Sequence, residues 1–306
     1  MSRARIAVIG SSNTDMILKL PRIPRPGETL LGGEYLSAAG GKGANQAVAA
    51  ARLGGAVSFI ARVGADVLGE QAIAGFQHEG IDVQHVQRDA ACASGVALIF
   101  VDAQGENCIG VAGGANGRLS ADDIARAHAT IAGSAVALLQ LETPLATVQA
   151  AAETAATAGA TVILNPAPAQ ELPDALLRHI SVLTPNEHEA ALLSGLPVTD
   201  AASAATAAAR LLAKGPKAVV ITLGALGAYV HTASGGQLVP SFPVQAVDTT
   251  AAGDTFNGAL AVALAEGRPL AEAVRFGNAA AALSVTRFGA QPSVPTRREV
   301  EAFLRG

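Results

Sequence analysis

The sequence predicts an α/β protein with a mostly parallel central sheet, helices on both faces of that sheet and a small β-sheet lid. From residue 57 onward, short apolar runs typical of buried strands alternate with helical stretches, a pattern typical of parallel sheets. Two strand-like segments, residues 16–38 and 96–110, interrupt the alternation and together predict a small second sheet. Since the chain has no internal repeat and no low-complexity linker, we expect one domain over residues 1–306 with these segments as lid inserts.

The first element is a short apolar strand over residues 6–9 that ends at Gly10, and a glycine-opened helix over residues 44–53 follows the first insert. Gly54 and Gly55 suit the C-terminus of that helix. Further strands are predicted over residues 57–61, 96–101, 136–141, 162–164, 182–183, 219–222 and 228–231. Further helices are predicted over residues 120–130, where Ser120 and Asp123 match a capping box, over residues 145–158, 187–194, 201–213, 251–265 and 270–286, and from Arg297 onward.

The composition argues against several classes of function. Half of the 306 residues are apolar while aromatic residues make up only 3%, so the core packs mainly small side chains. The formal net charge is −4 and no basic run is present, which argues against nucleic acid and membrane surfaces as partners. Cys92 and Cys108 are too few for a disulfide framework. The sequence shows neither a signal-peptide pattern nor an apolar run of membrane-spanning length, and we expect a cytoplasmic protein.

The most informative motif is VDTTAAGDTFNG at residues 247–258, where a helix begins. Unpaired N–H groups of Ala251, Ala252 and Gly253 at the helix N-terminus would favour negative charge and predict an anion hole. Asp254 would then act as general base toward a hydroxyl that attacks phosphorus. The alternative is that Asp254 is only an acidic residue at a helix N-terminus, which the small residues before it make less attractive.

A second motif, GGKGANQ at residues 40–46, opens the first long helix. It is not a Walker A motif, because Gly43 stands where a Ser or Thr is required, and it is not a dinucleotide fingerprint. Lys42 and Asn45 are polar groups that could bind the hydroxyls of a small ligand. A tight strand-to-helix turn would explain the glycines alone, but Lys42 and Asn45 beside them favour ligand binding.

Asn13, Thr14 and Asp15 follow the carboxyl end of the first strand, the edge at which open α/β sheets bind ligands. An aspartate that accepts hydrogen bonds from two neighbouring hydroxyls is well suited to hold a sugar. An Asx-turn is the alternative explanation for this short polar segment.

The segment TPNEHE at residues 184–189 joins a strand end to a helix start. Asn186 and Glu189 lie three residues apart on one helical face and could serve phosphate and hydrated Mg²⁺, which takes few direct protein ligands. A capped helix with acidic residues in its first turn is an equally good interpretation. His188 between two glutamates is better explained as a solvated surface residue.

Taken together, these motifs resemble the ribokinase family of carbohydrate kinases over nearly the full length of the chain. The resemblance rests on residues 13–15, 40–46, 140–142, 165–168, 184–189, 222–224, 248–258 and 285–295, which follow the family's order. It implies a ribokinase-like fold, a small β lid through which two subunits pair as a homodimer, and transfer of phosphate from ATP to the 5-hydroxyl of a sugar.

The resemblance also implies roles for individual residues. The sugar would contact Asn13, Thr14, Asp15, Gly41, Lys42, Gly43, Ala44, Asn45 and Glu142, and Asp254 would deprotonate its hydroxyl beside the anion hole. ATP would contact Asn186, Thr222, Leu223, Gly224, Ala225, Leu226, Gly227, Gly253, Asp254 and Asn278. Asn186 and Glu189 match an N-x-x-E motif linked to Mg²⁺ and phosphate. A K⁺ site would comprise Asp248, Thr250, Ser284, Arg287, Gly289 and Ser293, mostly through backbone carbonyls, which makes the charge of Arg287 acceptable.

Ribose is the leading substrate that the resemblance implies, since the sugar-contacting positions match the family pattern without departure. A kinase for 2-deoxyribose, another sugar or a nucleoside is the nearest alternative, because a few hydroxyl contacts decide sugar identity. A non-catalytic sugar-binding regulator is a third interpretation from a different class. Such a protein need not keep Asp254, Gly253, Asn186 and Glu189, all of which this sequence retains.

Overall fold

The structure, a computed structural model, describes residues 5–306. Its strands are β1 (Arg5–Ile9), β2 (Asn13–Lys19), β3 (Glu34–Gly40), β4 (Ala56–Gly64), β5 (Asp82–Asp89), β6 (Gly95–Val101), β7 (Asn107–Ala112), β8 (Val136–Leu139), β9 (Thr161–Leu164), β10 (Val182–Leu183), β11 (Ala218–Thr222), β12 (Ala228–Thr232) and β13 (Gly235–Val239). Its helices are α1 (Lys42–Arg52), α2 (Val67–His78), α3 (Ala121–Arg126), α4 (His128–Ala132), α5 (Leu145–Thr157), α6 (Asp174–Leu177), α7 (Glu187–Ser194), α8 (Ala201–Leu212), α9 (Ala252–Ala265), α10 (Leu270–Ser284) and α11 (Arg297–Phe303). Within residues 5–306, none of these helices has both the length and the apolarity needed to cross a bilayer.

The main sheet has nine strands in the order β13-β12-β11-β10-β9-β8-β1-β4-β5. Every neighbouring pair from β11 to β5 is parallel, whereas β12 and β13 form an antiparallel edge. The predicted mostly parallel sheet is therefore confirmed. In a parallel sheet all the carboxyl ends lie along one edge, and this edge is where the chain leaves β1, β8, β9, β10 and β11.

Helices cover both faces of this sheet, as predicted. Along β1, Ile6 and Val8 belong to one apolar cluster with α1, α2, α9, α10 and α11. The alternate residues Ala7 and Ile9 belong to the opposite cluster, with α3 to α8. Because successive side chains of a strand point to opposite faces, a strand covered on both sides must be apolar throughout, which explains the unbroken runs in the sequence.

A second sheet of four strands, in the order β3-β2-β6-β7, forms the small sheet that the sequence predicted. The β2–β6 pair is parallel, and the other two pairs are antiparallel. Its strands come from two chain segments that slightly exceed residues 16–38 and 96–110 at both ends. Since β2 follows β1 after a few residues and β3 leads directly into α1, this lid sheet lies next to the carboxyl end of β1.

Some elements differ from the sequence-based expectation. The helix predicted over residues 120–130 is two helices, because the backbone of the buried Ala127 takes φ −90° and ψ 4° and ends α3 before α4 begins. The capping box of Ser120 and Asp123 is present. Four elements, α2, α6, β5 and β13, were not predicted. β5 and β13 are edge strands with polar or glycine-rich sequences, so they lack the apolar run by which the central strands are recognised.

The close packing of α1 against α9 depends on one glycine. A Cβ atom added to Gly258 in α9 would lie 2.5 Å from the Cβ of Ala49 and 2.9 Å from the carbonyl oxygen of Gln46. Neither neighbour can move away by changing a rotamer. We therefore expect Gly258→Ala to lower the free energy of unfolding by about 1–3 kcal/mol through overpacking, measured by denaturant unfolding.

The matched control is Gly75→Ala in α2, where an added Cβ would meet no atom within 4 Å. There the better helix propensity of alanine should raise stability by about 0.5–1 kcal/mol. If both variants gained stability alike, the inferred tight contact between α1 and α9 would be wrong.

Candidate active site

Polar residues follow the carboxyl ends of the parallel strands and lie beside the N-termini of α1 and α9. Glu142 follows β8, Asp15 lies on β2 beyond the end of β1, and Lys42 and Asp254 stand in the first turns of their helices. The charges of these four side chains act on one another strongly enough to shift pKa values. The structure therefore brings together the residues that the sequence predicted as sugar-binding and catalytic.

The glycine loop positions Glu142 at the start of α1. Gly41 takes φ +88°, which disfavours any side chain, and a Cβ on Gly43 would lie 2.5 Å from the backbone nitrogen of Ser11. The loop can thus approach the end of β1, where the N–H of Ala44 donates to the carbonyl of Ser11 at 2.8 Å. The hydroxyl of Ser11 and the N–H of Lys42 both donate to Oε2 of Glu142, at 2.6 and 3.0 Å. Ser11 was not among the predicted site residues.

Asp254 lies in the first turn of α9 with only 7% of its surface exposed. Its Oδ2 accepts from Nδ2 of Asn45 at 3.0 Å, and its Oδ1 accepts from Nε2 of Gln46 at 2.9 Å. Burial raises the pKa of this carboxyl, although the charge of Lys42 and the two amide donors oppose the effect. Since each carboxylate oxygen has two lone pairs, both retain an acceptor position for a hydroxyl or its proton.

Ala251 is the one non-glycine residue within residues 5–306 with positive φ, at 57°. This left-handed conformation costs a residue with a Cβ about 1–2 kcal/mol and is typical of strained functional turns. It immediately precedes α9, and the N–H of Ala252 donates to the carbonyl of Thr249 at 3.2 Å. Of the three predicted anion-hole groups, that of Ala252 is therefore engaged in a weak turn hydrogen bond.

Lys42 is surrounded by acidic side chains. Burial alone would lower its pKa, but the negative charges of Asp254, Glu142, Glu189 and Asp15 outweigh burial and raise it. Conversely, burial together with Glu142 and Asp254 raises the pKa of Asp15 to about 6, against the effect of Lys42. The charge of one lysine thus partly offsets a cluster in which acids are in excess.

Asn13 is held in place by a residue that sequence reasoning missed. Oδ1 of Asn13 accepts from Nδ2 of Asn116 at 2.7 Å, and Oδ1 of Asn116 accepts from the N–H of Ser12 at 2.8 Å. The amide N–H groups of Asn13 therefore remain for a ligand. Thr14 lies between Asn13 and Asp15 on β2, so its side chain points to the opposite face of the lid sheet and only its backbone can line the site. No periodic or glycine signal marks Asn116, which lies in a short 3-10 turn.

Asn186 and Glu189 form a complete capping box at the start of α7. Oδ1 of Asn186 accepts from the N–H of Glu189 at 2.8 Å, while the Glu189 carboxylate accepts from the N–H and Nδ2 of Asn186 at 2.9 and 3.1 Å. Burial raises the pKa of Glu189. The structure thus contains the capped helix that was the alternative interpretation of this segment. A role of these two residues toward Mg²⁺ would be additional to helix capping.

The residues predicted to contact ATP lie mostly together. Asn186 forms a parallel bridge with Thr222, the last residue of β11, and a 3-10 turn over Gly224–Leu226 follows. Gly227 takes φ +105° to close this turn. Asn278 lies elsewhere, on α10, where its Nδ2 donates to the carbonyls of Val239 and Pro240 at 3.0 and 3.1 Å. Its amide donors therefore tie α10 to the end of β13.

Most residues of the predicted K⁺ site form hydrogen bonds with one another through backbone N–H groups. Asp248 accepts from the N–H of Thr250 at 2.9 Å and from the N–H of Gly289 at 2.8 Å. Although burial would raise the pKa of Asp248, hydrogen bonding by the Thr250 side chain and by the N–H groups of Gly289 and Thr250 lowers it. Arg287 donates its N–H to the carbonyl of Ser284, and its guanidinium pairs with Glu299 at 2.6 Å. Ser293 is fully buried one turn beyond Gly289.

Comparison with known proteins identifies relatives along the whole chain. A model described as pfkB family carbohydrate kinase matches residues 3–297. The ribokinase of Haemophilus influenzae is 49% identical over 302 residues, 99% of each chain. The deoxyribokinase of Salmonella typhimurium is 38% identical over 98% of each chain. A structure of Arabidopsis thaliana ribokinase complexed with ribose and ATP is 33% identical, covers 100% of both chains and gives a TM-score of 0.93. The family that the sequence motifs predicted is confirmed.

Asp15→Asn should stabilise the ligand-free protein more at pH 7.5 than at pH 4.5. The native carboxyl, with a pKa of about 6, binds its proton more tightly than the unfolded one, whose pKa is about 4. The stability of the wild type is therefore lost as pH rises from about 4 to about 6, and asparagine does not titrate. Thermal unfolding at both pH values measures the difference in Tm between variant and wild type. An equal difference at both pH values would contradict the inferred burial of a charged Asp15.

Proposed function

The chain belongs to the pfkB family of carbohydrate kinases, and we propose that it transfers the γ-phosphoryl group of ATP to the 5-hydroxyl of ribose. The products are ribose 5-phosphate and ADP. The observation that carries this proposal is Asp254, a buried carboxylate in the first turn of α9 that is fixed by two amides and lies beside Lys42. The similarity to ribokinases over the full chain favours ribose as the sugar.

The sugar would lie between the lid sheet and the N-termini of α1 and α9. Asp15 and Glu142 offer carboxylate oxygens, while Lys42, Asn13 and Asn45 offer donors or amide groups, so neighbouring hydroxyls would find both acceptors and donors. Gly41, Gly43 and the backbone of Thr14 and Ala44 would let the ligand approach the main chain. A partly buried set of this kind discriminates against sugars that leave one of its polar groups unpaired.

In the transfer, the sugar oxygen would attack the γ-phosphorus as its proton passes to the carboxylate of Asp254. The new O–P bond forms while the bond from that phosphorus to the ADP oxygen breaks. A positioned general base contributes about 10²- to 10⁴-fold in rate. The N–H groups of Ala251, Ala252 and Gly253, with the positive end of the α9 dipole, would stabilise the charge on the transferred group, and Ala252 would exchange its weak bond to Thr249 for this contact.

ATP would lie along Asn186 and residues 222–227, with its phosphates directed toward Gly253 and Asp254. Asn278 would shape the edge of this cleft through its bonds to Val239 and Pro240. An acidic cluster repels a polyphosphate, so counter-charge must accompany the nucleotide. A carboxylate and an amide oxygen, those of Glu189 and Asn186, suit Mg²⁺, which neutralises phosphate charge when bound and retains several waters.

We also propose the K⁺ site formed by Asp248, Thr250, Ser284, Arg287, Gly289 and Ser293. Carbonyl and carboxylate oxygens form the donor set that hard cations prefer, and the charge of Arg287 is compensated by Glu299. A cation bound there supplies positive charge behind the turn of residues 251–253. Within residues 5–306 no three His, Cys, Asp or Glu side chains cluster as a metal site, and a carbonyl-based cation site requires no such cluster.

The lid sheet is proposed to close over the sugar and to pair two chains as a homodimer. Closure would exclude water and so limit wasteful hydrolysis of ATP. The sheet exposes large apolar residues on both faces, with Leu36, Ile109 and Val111 on the face that carries Asp15 and with Tyr35 and Leu98 on the other. Sedimentation velocity should show that the wild type is a dimer. The double variant Leu98→Glu/Ile109→Glu, which places charges on the exposed apolar surface of the lid sheet, should be a monomer. A wild-type monomer at micromolar concentration would exclude the lid dimer.

The second candidate is a deoxyribokinase, favoured by the similarity to the Salmonella enzyme. Coupled ADP release with ribose, 2-deoxyribose, fructose and adenosine, each with K⁺ and with Na⁺, separates the candidates. We expect ribose to give the highest kcat/KM, and K⁺ to stimulate turnover over Na⁺. A clear preference for 2-deoxyribose would keep the mechanism and change the assignment at the sugar contacts.

The control for the chemistry is Asp254→Asn, which preserves the shape of the side chain but cannot accept the proton. It should bind ribose in calorimetry and lose about 10²- to 10⁴-fold in kcat. Turnover close to that of the wild type would remove Asp254 from the role of general base.

A further inference from the structure

The carboxylate of Asp254 belongs to a closed ring of buried hydrogen bonds that returns to the residue before it. Nε2 of Gln46 donates to Oδ1 of Asp254 at 2.9 Å and to Oδ1 of Asn165 at 3.0 Å. Nδ2 of Asn165 donates to the carbonyl of Thr184 at 3.1 Å, and the Thr184 hydroxyl donates to Oδ1 of Asn257 at 2.6 Å. Nδ2 of Asn257 then donates to the carbonyl of Gly253 at 2.8 Å, which closes the ring.

Each amide in this ring has only one orientation that satisfies its partners. The Asp254 carboxylate and the carbonyls of Thr184 and Gly253 are acceptors only, so each must face an amide nitrogen. Gln46 therefore turns its oxygen away from Asp254, where it accepts from Nε2 of Gln140 at 2.6 Å. Reversing any one of these amides would place two acceptor oxygens next to each other in the interior, where an unpaired polar group is costly.

The ring is also anchored on separate parts of the fold. Gln46 is fully buried on α1, Asn165 and Thr184 follow β9 and β10, and Asn257 lies on α9. Its bonds therefore cross from one helix to the ends of two central strands and back to the helix that carries Asp254. A network with fixed donors and rigid anchors holds its members in one geometry.

We propose that Gln46 is a positioning residue for the phosphoryl transfer, holding the Asp254 carboxylate at one angle relative to the turn that begins α9. This inference rests on the proposed function, because it assigns Gln46 a role through Asp254. Asn45 also donates to Asp254, but it lies among the groups expected to touch the sugar. Gln46 is fully buried, and its amide forms hydrogen bonds with Asp254, Asn165 and Gln140.

The consequence for catalysis concerns both geometry and protonation. The bond from Gln46 favours the charged form of Asp254 and so opposes the rise of pKa that burial causes. A side chain as long as that of Gln46 but without an amide would deprive Oδ1 of Asp254 of this donor. The carboxylate of Asp254 could then rotate toward other donors. Misplacement of a reacting group by about 1 Å can cost about 10²-fold in rate.

The test is Gln46→Met, measured alone and combined with Asp254→Asn. We expect Gln46→Met to lower kcat about 10- to 100-fold while the KM for ribose changes less than about threefold. The acidic limb of the kcat profile should move to higher pH, because the pKa of Asp254 rises further when the Gln46 donor is removed. In the Asp254→Asn background the same change should lower the residual turnover little, since Gln46 then has no base to position.

Thr147→Val provides the matched control for lost stability. Thr147 is buried on α5 and donates to the carbonyl of Leu119 at 2.7 Å, on the opposite face of the sheet from α1. The Thr147→Val variant should have a lower Tm and an unchanged pH profile of kcat. If Gln46→Met does not fold, Gln140→Met carries the test, because it removes the bond that fixes the Gln46 oxygen and leaves Gln46 in place. A smaller loss of kcat and a smaller shift in the same direction are then expected.

The outcomes separate the two proposals. Loss of turnover in Asp254→Asn with an unshifted pH profile in Gln46→Met would overturn the role of Gln46 and leave the proposed function standing. An equal loss from Gln46→Met in both backgrounds would also overturn it, because the effect would then not pass through Asp254. Full turnover by Asp254→Asn would instead show that the base assignment itself is at fault.

Discussion

The contact between α1 and α9 is the constraint on which the rest of the site depends. Gly258 allows α9 to lie against Ala49 and the backbone of α1, and this approach brings the amides of Asn45 and Gln46 to the carboxylate of Asp254. A larger side chain at residue 258 would push the two helices apart and so weaken these hydrogen bonds. The alanine- and glycine-rich composition is therefore a requirement of the active site as well as a property of the core.

The same packing produces an electrostatic arrangement that is unfavourable in the free protein. Several carboxylates share the neighbourhood of Lys42, and burial raises the pKa values of Asp15, Glu189 and Asp254. A sugar is neutral and brings hydroxyl donors, so it relieves this arrangement without adding charge. A nucleotide brings more negative charge, so its attraction to the site would depend on the N–H groups before α9 and on the proposed cations.

The sequence predicted the fold class, the small second sheet and the residues that converge at the site, because each has a local signal. Apolar runs mark buried strands, and the motif at residues 247–258 marks a helix start with an acid. Ser11, Gln46 and Asn116 were missed as site residues since their importance comes from partners more than 30 residues away in the chain. The break at Ala127 and the polar edge strand β5 were missed because helix and strand patterns alone do not report tertiary context.

The position of Asn13 and Asp15 on β2 would make the proposed sugar site part of the lid sheet itself. Asp254, by contrast, belongs to α9 and the main sheet. A ligand that contacts both parts stabilises the relative position of the two parts that allows both contacts. By thermodynamic linkage, a second contact that sugar binding strengthens by some factor strengthens sugar binding by the same factor. Contacts formed far out on the lid, including those with another chain, can therefore tune the affinity of the site without touching the sugar.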